Sequence, residues 1–130
     1  MNSILRLLCA LIGVALILFG FYSLFAIDAV TEMTALTPVG VAGINEARAI
    51  YAGSFWAMGA VILHSIAAPA TRAPALWAIG AIFVGFILAR LLSIAMDGFD
   101  PALTPAILFE TIGAVILCLG ARGASQDVRG

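Results

Sequence analysis

Two ionisable residues stand inside long apolar runs: Arg90 in the run 75–96 and Glu110 in the run 102–121. A lone charge at mid-membrane costs on the order of 3 kcal/mol on insertion scales, so each calls for a partner or a wet cavity. The chemistry open to them is pairing with one another, or capture of a polar ligand head or an ion. Further polar residues share their helical phase. Arg90, Ser93 and Asp97, offset by three and seven, fall on one face that continues into Phe86 and Phe83. In the preceding run Arg48, Tyr51 and Phe55 share a face, with Asn45 and Glu46 at its outer end. Glu110 is flanked by Ala106, Gly113 and Ala114, small residues that mark a helix contact side, so its carboxylate is expected to point inward.

No activated nucleophile, metal triad or cofactor motif can be assembled from these groups, and the chain is not expected to be an enzyme. His64 stands alone, far from the acidic residues, and reads as a packing or interfacial side chain. Cys9 and Cys118 lack CxxC or Cys/His spacing and read as small buried apolar groups rather than as metal ligands.

The elements that must position these residues follow from composition. The chain has 130 residues, of which 64% are hydrophobic and 10% charged, with no lysine, far too apolar for a soluble domain of this size. Its net charge of −1 gives no basic footprint for nucleic acid. A membrane span needs about 20 apolar residues. Four stretches qualify, 5–27, 48–68, 75–96 and 102–121, which makes the chain a single all-α, integral membrane four-helix bundle over 1–130. The first run is too long for a signal peptide and lacks a cleavage site, so it is retained as a helix. Pro69 and Pro74 bracket the second connection, and Asp97-Gly98-Phe99-Asp100-Pro101 forms the third. The first, 28–47, reads as a loop with room for a short interfacial helix.

Basic residues outside the spans, Arg6, Arg72, Arg122 and Arg129, fall on one side, while Asp28, Glu32, Glu46, Asp97 and Asp100 fall on the other. The positive-inside rule then places both termini in the cytoplasm, and in a bacterium the loop 28–47 faces the periplasm. Counted from the Asp97 turn at 1.5 Å per residue, Arg90 lies roughly 10 Å and Glu110 about 13 Å below the outer surface. The two are at similar depth.

The expected cluster is therefore Asn45, Glu46, Arg48, Tyr51, Arg90, Ser93, Asp97 and Glu110, above an aromatic lining of Phe55, Phe83 and Phe86. One reading is a structural lock, with Arg90 on Glu110 and Arg48 on Glu46 or Asp97. The other is an outer-leaflet pocket for a small amphiphile (lipid, quinone or isoprenoid) or an ion. The carboxylates Glu46, Asp97 and Glu110 outnumber Arg48 and Arg90 by one, a surplus that a proton on Glu110, a bound cation or hydration of Glu46 or Asp97 would offset. Small stripes, Ala49-Gly53-Ala57 and Ala81-Gly85-Ala89, point to tight packing of the second and third helices. Expected partners are the lipid bilayer, an amphiphilic ligand, and a second copy or a larger membrane complex. In the last case the chain would be an accessory or assembly subunit.

The segments Asn45-Glu46-Ala47-Arg48-Ala49-Ile50-Tyr51-Ala52-Gly53 and Arg90-Leu91-Leu92-Ser93-Ile94-Ala95-Met96-Asp97-Gly98, followed by Glu110, match a known pattern. They resemble the N-E-x-R-x-x-Y-G-G and R-L-x-S-x-x-x-D-G stretches of the bacterial four-helix membrane family catalogued as domain of unknown function 4345. Ala52 stands where that pattern has the first glycine of a pair. The resemblance spans the first helix through the fourth and implies a small multi-pass protein of the bacterial inner (cytoplasmic) membrane. It carries no activity with it.

Overall fold

The computed structural model describes residues 1–127; Arg129, counted above among the basic residues of one side, lies outside the described residues. Five helices are present among the described residues. α1 (Ser3–Phe25) starts on Asn2, whose side chain accepts the Leu5 N–H at 2.8 Å. The short α2 (Ile27–Met33) follows after a kink at Ala26. α3 spans Gly40–Ala67, with a π-helical turn at Ala49–Gly53 in its middle. α4 (Pro69–Asp97) is separated from it by Ala68, and α5 (Thr104–Asp127) is entered through a 3-10 turn at Pro101–Leu103.

α1 packs along the second half of α3, and α4 along α5; α3 against α4 and α1 against α5 close the ring. Cys9, Ile12 and Leu16 of α1 meet Met58 and Ile62 of α3, Leu76, Ile79 and Phe83 of α4, and Leu117 and Ala121 of α5 in one core. Without a hydrophobic drive between helices in lipid, close backbone approach must supply the contact. Gly59 shows this: a Cβ there would lie 2.7 Å from the Gly13 carbonyl oxygen, backbone that cannot give way. α1, α3, α4 and α5 with its entry turn are long and apolar enough to cross a membrane, yet only 17% to 28% of each one's apolar window is buried inside the protein. Leu7, Leu11, Leu18, Leu88, Leu91 and Leu92 all face outward. Such surfaces need a bilayer around them.

Several expected boundaries move. The second span starts at Gly40 rather than at residue 48, and the stretch 28–47 is largely helical. Ile44 and Ala47 pack on Ile27 and Val30 of α2, a tertiary contact that overrides the weak helix propensity of the two glycines there. α2 ends in a Schellman turn, with the Leu36 N–H on the Thr31 carbonyl at 2.8 Å and Ala35 at φ +54, where glycine is usual. The third span starts at Pro69, not 75. A proline at the first helical position gives up no hydrogen bond, and Pro74 is absorbed inside the helix. The fourth runs on to Asp127, beyond residue 121.

The stripes Ala49-Gly53-Ala57 and Ala81-Gly85-Ala89 do not pack the bundle. All six residues are exposed, and a Cβ at Gly53 or Gly85 would meet nothing within 4 Å. Glycines off those stripes, Gly13, Gly59, Gly80 and Gly113 among them, take the contacts instead.

Arg72, read as lying in the second connection outside the spans, is buried in the first turns of α4. Its Nε donates to the Ser65 carbonyl at 3.2 Å and its Nη2 to the Ile66 carbonyl at 2.8 Å. These are last-turn carbonyls of α3 that have no partner within their own helix. Replacing Arg72 with Leu leaves both unsatisfied and is expected to lower stability by about 1–3 kcal/mol, measured by reversible unfolding in mixed micelles; an unchanged unfolding midpoint would contradict the capping role.

Candidate functional site

Arg90 of α4 and Glu110 of α5 meet as a fork. Nε donates to Oε2 at 2.7 Å and Nη2 to Oε1 at 2.8 Å, so both carboxylate oxygens are engaged. Glu110 is nearly sealed, with 10% of its side chain exposed, whereas Arg90 keeps 33%. The inward direction expected from Ala106, Gly113 and Ala114 holds, because Gly113 and Ala114 are buried beside Glu110. A Cβ at Gly113 would collide with the Phe83 ring, which is why α5 can come close enough for the fork to form.

The pair borders a cavity of about 410 Å³. Ala15, Leu16 and Phe19 of α1 form one wall, Tyr51 and Phe55 of α3 another, and Ala106, Phe109 and Glu110 of α5 a third; Met33, Thr34, Ala102 and Pro105 complete the lining with Arg90. Phe19 and Phe55 meet edge to face with ring centroids 4.9 Å apart, which stiffens the α1–α3 wall. Tyr51 lines the same cavity as Arg90.

Four of the expected residues thus come together: Tyr51, Phe55, Arg90 and Glu110. The others do not. Asn45 and Arg48 line a separate surface depression of about 310 Å³ with Ile27, Asp28, Val41 and Ile44. Arg48 pairs with neither Glu46 nor Asp97; its Nε donates to the Leu24 carbonyl at 3.2 Å, in the last turn of α1. The π turn accounts for the separation. It inserts about one residue, so positions before it are rotated by roughly 100° relative to those after it. Glu46 is exposed, and Ser93 donates to exposed Asp97 at 3.4 Å at the outer end of α4. The surplus carboxylate therefore lies outside the cavity, whose only charged lining groups among the described residues are Arg90 and Glu110. Phe83 belongs to the buried core, with its ring centroid 5.8 Å from that of Phe109, and Phe86 is exposed.

Sequence reasoning missed the contributions of α1, α2 and the start of α5. Ala15 and Phe19 lie one helical turn apart, a legible spacing, but no polar residue drew attention to that face. Met33 and Thr34 reach the cavity only because α2 folds back on α3, a tertiary event with no local signal.

Neither a curated protein nor a solved structure matches the chain. A family model described as "Domain of unknown function (DUF4345)" matches residues 4–121, a stretch that contains every lining residue of the cavity. By that match, which takes in all but the two ends, the chain belongs to the DUF4345 family.

Proposed function

We propose that this chain is a non-enzymatic, multi-pass protein of the bacterial inner membrane that holds a small amphiphile, such as a lipid, quinone or isoprenoid, in the cavity beside the Arg90–Glu110 fork. The observation that carries the reading is the cavity itself. Its volume of about 410 Å³ falls within the range of small-molecule sites, and its apolar, partly aromatic walls converge on a few polar groups. Those walls suit a chain, and the polar groups suit a head. A bare cation fits less well, because Arg90 already holds both Glu110 oxygens. The orientation with cytoplasmic termini is supported by the placement of Arg6, Arg72 and Arg122 at one end of the spans, where the Met1 ammonium also bonds Asp127 and so brings both ends of the described chain together.

A second reading, an accessory or assembly subunit of a larger membrane complex, is favoured by the outward stripes Ala49-Gly53-Ala57 and Ala81-Gly85-Ala89. Small residues on a lipid-facing surface let another helix approach closely. Here the fork is a lock and the cavity incidental.

Native-lipid nanodiscs separate the two. On the first reading mass spectrometry finds one defined amphiphile per chain, and Ala106→Phe, which fills the cavity, removes it without lowering the unfolding midpoint; the same complement bound to the variant sinks the cavity reading. On the second, purification in mild detergent brings down a stoichiometric partner protein, and a stable monomer or homo-oligomer counts against it. Under either reading the fork carries stability. Glu110→Leu strands the Arg90 charge and is expected to cost about 2–4 kcal/mol, most of which Arg90→Met restores in the double variant. Additive losses in that cycle would show that the two side chains are not coupled.

A further inference from the structure

The chemistry of the fork limits which head the cavity accepts. An arginine has five N–H donors, and Arg90 spends one from Nε and one from Nη2 on Glu110, with no other acceptor for it among the described residues. Three donors remain on a guanidinium that lines the cavity and is one-third exposed. Tyr51 lines the same cavity, and its hydroxyl likewise has no hydrogen-bond partner among the described residues. The site is therefore rich in unused donors.

Its charge, however, is already balanced. Among the described residues Arg90 and Glu110 are the only charged groups on the lining, and they cancel. An anionic head entering the cavity would either sit without a counter-charge against apolar walls or pull Arg90 away and strand Glu110; both arrangements bury an unpaired charge. The start of α5 offers no relief. Asp100 already accepts the Ala102 N–H at 2.8 Å, and Pro101 and Pro105 have no N–H to give. A carbonyl or hydroxyl oxygen escapes this penalty and still receives charge-assisted hydrogen bonds.

We propose that the cavity selects amphiphiles with an uncharged, oxygen-bearing head and discriminates against phosphate-headed ones, Glu110 being the residue that sets this preference. The inference rests on the amphiphile reading above and narrows it.

A matched pair of probes tests it: monooleoylglycerol and oleoyl lysophosphatidic acid, which differ only in the phosphate. Equilibrium binding of each radiolabelled probe to the detergent-solubilised full chain is expected to favour the neutral one by about tenfold or more. Glu110→Gln, which keeps the shape and removes the negative charge, is expected to shift that ratio toward the phosphate by at least about tenfold. Tyr51→Phe, which removes one donor, is expected to weaken the neutral probe several-fold. Equal or tighter binding of the phosphate probe by the unmodified chain overturns the head-group inference and leaves the amphiphile reading standing. A folded Glu110→Gln variant with an unchanged ratio also overturns it. If Glu110→Gln fails to fold, the ratio in the unmodified chain decides alone. Binding of neither probe, together with an amphiphile complement unaltered by Ala106→Phe, overturns both.

Discussion

A charge inside a bilayer must be answered by another, and the fork between Arg90 and Glu110 is the answer on which the rest of this bundle depends. Its two bonds of 2.7 and 2.8 Å fix the depth of α5 against α4 and the rotation of both helices. Apolar packing alone would fix neither firmly, since lipid tails contact an apolar helix face as readily as a neighbouring helix does. Once the rotation is fixed, Gly113 falls opposite the Phe83 ring and Phe109 and Ala106 are turned to the cavity. The pair is thus a lock and a wall of the cavity at once, and the two roles do not compete.

The other arginines show how the bundle handles polarity where it is not paired by charge. Arg48 donates to a last-turn carbonyl of α1, and Arg72 to two last-turn carbonyls of α3. Helix ends near or within an apolar phase carry unsatisfied backbone groups, and a long flexible donor from a later helix is an effective way to satisfy them. An arginine next to a span is therefore ambiguous from its position alone: it belongs to a site when an acid answers it at the same depth, and to a cap when a helix has just ended beside it.

That distinction explains what was legible in the residues. Four spans and the depth match of Arg90 with Glu110 follow from hydropathy and a rise of about 1.5 Å per residue, and the inward turn of Glu110 from the small residues Ala106, Gly113 and Ala114 beside it. The cluster around Arg48 does not form, because the 3.6-residue period breaks across Ala49–Gly53, where the helix widens into a π turn. The small stripes mislead for a related reason. Spacing finds small residues on one face but not what that face meets, and here the close contacts fall on Gly13, Gly59 and Gly113 while Gly53 and Gly85 look outward. α2 was invisible as a cavity wall because its docking on Ile44 and Ala47 is tertiary.

The cavity also has an energetic consequence. A cleft of about 410 Å³ with mainly apolar walls exposes surface that is unfavourable to leave against water. On the proposed reading an apolar chain fills it, and what distinguishes one chain from another is the polar edge it meets. A lipid tail would fill the volume and leave the free N–H groups of Arg90 and the Tyr51 hydroxyl unanswered, with only sparse water to serve them. A molecule that brings an oxygen to that edge satisfies both demands together, so the balance between tail and ligand turns on hydrogen bonding rather than on apolar fit.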